Sequence, residues 1–385
     1  MAEVSILIIL ACLAAVYAGY PLVLLVTAAL AGPRRARAGG RAPESVSVIV
    51  CAHNEAEAIG GKLRSVIASV AGRPERIELL VCDDGSSDGT ADIVEAVAAD
   101  APLPFRLMRL ARGGKAAALR LAIPAANGEI LVFSDADPLW DENTLGALLA
   151  GFADPDVGAV AGEVRSLRKG VGGWRGGEAL FRRYESAIRA AEDRLFGCVS
   201  ADGGLFALRA ALAEPVPGDV TDDFFLSTAA VAGGMRIAFR SEAAVYEVAP
   251  EGQRQHFRRR IRITVRGLTG LWRRRALLNP LRTGFYAFGL LFHKVLRRLA
   301  PLLLLPLWAC ALAVVVERGS AAHVAGFVFL SGGALGTALI LLLPLRVPRL
   351  LRLPAYFGIH LGGLAIGTLL FLSGKRYTQW APQKR

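Results

Sequence analysis

The chain has 385 residues, 54% of them hydrophobic, a formal net charge of +12 and a mean hydropathy of +0.43. That hydropathy excludes a purely soluble protein, and the length accommodates one ordinary soluble domain together with membrane segments. The positive charge does not point to nucleic acid: Arg254, Arg258, Arg259, Arg260, Arg262, Arg266, Arg273, Arg274 and Arg275 crowd one stretch just before an apolar region, which suits anionic lipid headgroups or a phosphate ligand.

Glu3 precedes an uncharged, mostly apolar stretch, 4–32, long enough to cross a bilayer of ~30 Å. An acidic start and a basic flank of Arg34, Arg35 and Arg37 are unlike a secretory signal, and the flank predicts that the insert after this span is cytoplasmic. Three further apolar segments occupy 299–316, 319–345 and 353–374. The basic residues Lys375, Arg376, Lys384 and Arg385 then fall on the outer side, against the positive-inside expectation, unless the last segment is re-entrant and brings Trp380 and Arg385 back inside. Five cysteines without ligand or disulfide spacing fit a reduced cytoplasmic insert.

Within the insert, 45–52 reads as a buried strand, broken by the polar turn His53-Asn54-Glu55. Ile59, Leu63, Val66 and Ile67 lie at helical spacing and predict a helix over 56–71. A second strand, 77–82, ends in Asp83-Asp84-Gly85-Ser86-Ser87-Asp88-Gly89-Thr90, a turn able to cap a helix over 91–98. Strand, helix, strand is the βαβ unit of a parallel sheet. A third strand covers 105–110, and Arg112-Gly113-Gly114-Lys115 opens a helix, either as a phosphate neighbour or as a simple turn. The apolar run 130–133 ends in Ser134-Asp135-Ala136-Asp137. Alternate strand residues share a side, so both acids leave one sheet edge toward one region, and Asp84 leaves the second strand at the same edge. Ligands of open α/β sheets sit beyond the carboxyl ends of the strands. The pair reads as a metal–diphosphate site, since a hard cation relieves the repulsion of two acids, or as a helix cap with a solvated acid. Further on, 177–194 reads as a helix whose charges, Glu178, Glu185, Arg189 and Glu192 among them, form a solvated face, and 201–207 gives a tight turn into a strand. The stretch 253–275 interleaves arginines with apolar residues as an interfacial helix would, and 286–296 reads as a second one.

These segments, from Val46 to Arg266, resemble the family 2 glycosyltransferases with a GT-A fold. His53-Asn54-Glu55, Asp83-Asp84-Gly85-Ser86, Gly114-Lys115 and Asp135-Ala136-Asp137 follow in the family's order. Thr221-Asp222-Asp223 is similar to the Thr-Glu-Asp motif of membrane-embedded members, and Gln255-His256-Phe257-Arg258-Arg259 to their Gln-x-x-Arg-Trp motif. The flanking spans match the branch that includes cellulose, chitin and hyaluronan synthases. Arg259 stands where those polymer synthases have tryptophan, with Trp272 as a substitute platform, and Asp222 stands where glutamate is usual.

The resemblance implies an α/β GT-A, Rossmann-like domain with a mostly parallel sheet, plus interfacial and transmembrane helices. It implies Glu55, Asp84 and Lys115 at the nucleotide, Asp137 on a divalent cation (Mg2+ or Mn2+), and Asp135 on the metal or the ribose. Arg258, with Gln255, is expected at the diphosphate through a guanidinium fork. Asp223, beside Asp222, is the expected general base, the repulsion between the two raising one pKa. Asp202 is expected to touch the acceptor sugar or to serve as a turn acid. The expected activity is inverting transfer from a nucleoside-diphosphate sugar, UDP-sugars first, to a growing polysaccharide. A glycolipid product on a polyprenyl phosphate or ceramide-like acceptor, and a non-catalytic assembly protein on the same fold, are the alternatives. The expected units are 1–32, a first span; 33–250, the cytoplasmic catalytic domain; 251–298, basic interfacial helices; 299–374, three membrane segments; and 375–385, a tail. The setting is a bacterial inner membrane, with an oligomer or accessory subunits completing the few spans.

Overall fold

The computed structural model describes residues 1–32, 34, 37, 40–167, 174–247, 253–343, 347–348 and 351–378. Arg35, Trp380, Lys384 and Arg385 lie outside them. One eight-stranded sheet carries the site, with strands β1 (Ser45–Ala52), β2 (Arg76–Asp84), β3 (Phe105–Leu110), β4 (Ile130–Asp135), β5 (Leu139–Trp140), β6 (Val157–Ser166), β7 (Phe206–Arg209) and β8 (Arg236–Glu247) in the order β3-β2-β1-β4-β7-β6-β8-β5. The half formed by β1 to β4 is parallel, and β7 enters antiparallel between β4 and β6.

Both faces of this sheet are buried, which is why its strands read as continuous apolar runs. Val46, Val48 and Val50 pack toward Ile59, Leu63 and Val66 of helix α1 (Ala56–Val70). Ile49, Leu131 and Phe133 face the other way, toward Leu119 of α2 (Lys115–Ala125) and Leu226 of α3 (Asp222–Ala232). Asp135 has the parity of Leu131 and Phe133, so it emerges on the α2 and α3 side. That parity brings Lys115 and Asp222 to it.

Among the described residues, four helices are long and apolar enough to cross a membrane: Ala2–Ala31, Phe285–Arg318, Ala321–Leu342 and Arg352–Leu372. Residues 286–296, expected as an interfacial helix leading into a span, run continuously into the apolar segment, with a π-helical stretch at Leu290–Leu296. The first long helix packs Leu24 and Ala28 against Ile188 and Ala191 of α4 (Trp174–Leu195). The arginine-rich segment forms one helix, α5 (Gln253–Arg273). A Cβ added at Gly363 would stand 2.8 Å from Arg260 Cγ, and one at Gly367 2.6 Å from the Thr264 Cβ. Both contacts advance by four residues, so Arg352–Leu372 runs parallel to α5, brought close by glycines as in membrane helix pairs.

Candidate active site

The site assembles from the polar turns that leave the sheet edge. Asp84, only 3% exposed, accepts hydrogen bonds from the backbone N–H of Gly113 (2.7 Å) and Gly114 (2.9 Å) and pairs with Arg112. Gly114 has φ +86°, a conformation that favours glycine, and α2 starts at the next residue. Asp84 thereby fixes the loop that launches Lys115.

Lys115 Nζ lies 2.6 Å from Asp135 Oδ1 and 2.7 Å from Asp222 Oδ2. Burial lowers its pKa, but the two carboxylates outweigh burial and hold it well above the usual lysine range. For Asp222 burial acts upward, yet Lys115 wins and keeps the acid ionised below its ordinary value. Among the described residues Asp223 makes no ion pair: burial, then the charges of Asp222 and Asp202, push it up to about 6. Adjacent acids are thus split into a fixed anion and a group poised near neutrality. Asp202 is held down at about 2, because Arg189 and Arg182 overcome its burial, and it accepts from Gly204 N–H. A Cβ at Gly203 would stand 3.5 Å from Asp135 Oδ2 and 4.0 Å from Asp223 Cγ. Glycine leaves room for a reactant between these two acids.

These groups line one cavity of about 410 Å³, together with Glu55, His53 and Asp137, and it continues to Tyr356, His360 and Leu364 of the last long helix. Glu55, Asp84, Lys115, Asp135, Asp137, Asp202, Asp222 and Asp223 all reach it; Gln255 and Arg258 do not. Arg258 is on the exposed side of α5, because the helical phase that buries His256 turns Arg259, Arg262 and Arg266 inward instead. Arg266 donates to Val220 C=O at 2.9 Å, and Arg259 lies 3.6 Å from Glu247. Trp272 is 62% exposed and is no platform for this cavity.

The charges of α4 do not form the solvated face expected. Glu178, Arg189 and Glu192 are buried. Glu178 pairs with Arg182, Arg189 with Asp202, and Glu192 accepts from Tyr20 Oη and contacts His293 Nδ1 at 2.6 Å. Apart from Arg182, four residues on from Glu178 in the same helix, the partners come from distant elements, which helical spacing alone does not reveal. Lys62 is a further residue that the motifs pass over: fully buried behind β4, it donates to Ser134 Oγ at 2.6 Å and Pro138 C=O at 2.8 Å, and burial lowers it to about 7. Its spacing with Ile59 and Val66 was the available signal.

A mostly parallel sheet with acids converging beyond the carboxyl ends of its strands, set against long apolar helices, defines a membrane-associated transferase of GT-A fold. Residues 47–212 match the model of glycosyl transferase family 2, and residues 130–346 that of glycosyl transferase family group 2. The chain belongs to the family 2 glycosyltransferases. It is 27% identical over 227 residues to a poly-β-1,6-N-acetyl-D-glucosamine synthase of Staphylococcus aureus, covering 57% of this chain and 53% of that protein. It is 30% identical over 112 residues to an uncharacterized glycosyltransferase of Nostoc, covering 29% and 34%. The chain thus spans about half, or less, of the length of these curated relatives. A mannosyltransferase from Pyrobaculum calidifontis, solved with GDP-Man and Mn2+, superimposes with a TM-score of 0.71 at 26% identity, over 96% of this chain and 99% of that one.

Proposed function

We propose that the chain transfers a sugar, with inversion, from a nucleoside-diphosphate sugar to a membrane-associated acceptor, in the first place a growing polysaccharide. The observation that carries this reading is Asp223, pushed up to about 6, with its Cγ 4.0 Å and Asp135 Oδ2 3.5 Å from the position a Gly203 Cβ would take. As a carboxylate, Asp223 takes the proton of the acceptor hydroxyl while that oxygen attacks the anomeric carbon from the face opposite the diphosphate. Asp222, kept ionised by Lys115, maintains the basicity of its neighbour. Arg262 and Arg259, in place of Arg258, supply guanidinium forks to the diphosphate. Glu55 and the loop fixed by Asp84 bound the nucleotide end.

Asp135 and Asp137 suit Mg2+ or Mn2+. Among the described residues no group of three or more His, Cys, Asp or Glu side chains forms a cage, and two carboxylates sharing a cation with donor phosphates are the set such ions commonly take. When bound, the cation neutralises charge developing on the leaving diphosphate. The Mn2+ in the mannosyltransferase neighbour and the polymer named for the staphylococcal relative support the metal and the leading acceptor class. A glycolipid product is the second reading, favoured by Arg259 at the tryptophan position and by a cavity reaching the last long helix. We assign 33–250 to the catalytic unit and set it on the cytoplasmic face, with the basic α5 against headgroups.

The test is release of nucleoside diphosphate from a panel of UDP- and GDP-sugars by the full chain in nanodiscs with native lipid extract, with Mn2+, Mg2+ or chelator. Metal-dependent release from one donor is expected. Nucleotide binding without release from any donor overturns the reading in favour of a non-catalytic scaffold.

A further inference from the structure

The cavity's membrane end has a composition that the sugar donor does not account for. Beyond Asp223 its wall is built by Arg260 of α5 and by Lys294 and Arg298 of the helix Phe285–Arg318. Among the described residues, none of these three cations has a carboxylate within ion-pair distance. Arg260 lies over the Phe181 ring, 5.6 Å from its centre, and Arg298 donates to Lys294 C=O at 2.8 Å. Glu185, the nearby acid, is already held by Arg297 at 2.5 Å and by His293 at 3.2 Å. Burial, with the like charges of Arg259 and Arg297, pushes Arg260 down to about 10.

All three cations are half-buried, and the nearest acid, Glu185, is shared with Arg297 and His293, so a further anion would be favourable where an uncharged glycan adds no counter-charge. The cluster shares the cavity wall with Leu364 of the apolar helix Arg352–Leu372, and Lys294 and Arg298 themselves belong to the apolar helix Phe285–Arg318, which favours a lipid as the source of the anion. Guanidinium forks and an ammonium together match the several oxygens of a phosphate. We infer that Arg260, Lys294 and Arg298 hold the phosphate of a membrane lipid, and that this lipid belongs to the acceptor. The second clause rests on the glycolipid reading of the transferase; the first does not.

The experiment is native mass spectrometry of the full chain in phosphatidylcholine nanodiscs, titrated with a polyprenyl phosphate, the matching polyprenol and phosphatidylglycerol. Wild type is expected to bind the polyprenyl phosphate more than about tenfold tighter than the polyprenol. The double variant Arg260→Gln/Arg298→Gln loses that preference, Arg260→Lys/Arg298→Lys regains most of it, and nucleoside-diphosphate affinity stays constant. Equal binding of polyprenol and polyprenyl phosphate by wild type overturns the phosphate site. So does a preference that survives in a Gln variant that still binds nucleotide. If the Gln variant no longer binds nucleotide, the wild-type comparison and the Lys variant decide. Phosphatidylglycerol competing on equal terms upholds the phosphate site but overturns the acceptor clause, leaving a headgroup anchor. Phosphate-dependent lipid binding without turnover of any donor overturns the transferase reading alone.

Discussion

Replacing Asp223 with asparagine removes the base while changing almost no volume. The Lys115 contacts to Asp135 and Asp222, at 2.6 and 2.7 Å, do not involve it, so the nucleotide end of the site should persist. General-base catalysis is worth ~10² to 10⁴ in rate, equivalent to roughly 3–5 kcal/mol of barrier. With Asp223 at about 6, roughly nine-tenths is carboxylate at pH 7 and roughly one-tenth at pH 5, so wild-type turnover should fall ~10-fold between them. Activity rises with pH through this value because the working form is the deprotonated one. The assay is initial-rate sugar transfer from labelled donor over pH 5–8, beside nucleotide binding of both proteins. Asp223→Asn should bind donor normally and lose at least ~100-fold in turnover, with any residual rate lacking the inflection. Retention of more than a tenth of the rate, or an inflection near 6 surviving in the variant, would refute the assignment.

Other substitutions probe the surroundings. Arg262→Ala should raise the donor KM by more than about tenfold, whereas exposed Arg258→Ala should change it far less; equal effects in a donor titration would return the diphosphate role to Arg258. Gly203→Ala places a methyl at ordinary contact distance from Asp135 and Asp223, so Tm should stay within about 2 °C while kcat/KM falls more than about tenfold; a fast enzyme would show that no reactant passes there. Lys62 is lowered from 10.5 to about 7, so between these values the unfolded chain binds the extra proton and its contribution to folded stability grows as pH rises. Melting of wild type relative to Lys62→Met should therefore improve from pH 7 to pH 10, and a constant difference would count against a buried, neutralised lysine.

The parallel half of the sheet was legible because β1, β2 and β4 are apolar runs ended by acids, and two-residue periodicity then fixes which side chains share a face. β6 and β8 carry no such signal. Val157-Gly158-Ala159-Val160-Ala161-Gly162 is too small-sided to favour either period, and its pairing with β8 joins residues about eighty positions apart. In the site, the acids could be found because they close strands or open helices. Arg258 shows the limit of motif matching: the spacing identified the segment, but the phase of α5 against Arg352–Leu372 chose Arg259 and Arg262. His256, Ile263, Gly267 and Gly270 mark that face at helical intervals, and following them would have passed Arg258 by. The ion pairs of α4 were out of reach for another reason, since Tyr20, Asp202 and His293 come to it only through the tertiary fold.

The central claim is best tested by isolating the product. The full chain in nanodiscs with native lipid extract and Mn2+ would receive an α-linked labelled nucleotide sugar, and the labelled material would be separated into polymer, extractable lipid and free sugar before the new linkage is read by proton NMR. The account predicts a β-linked sugar on a polymer or lipid acceptor. A retained α-linkage, or label recovered only as free sugar, would contradict it.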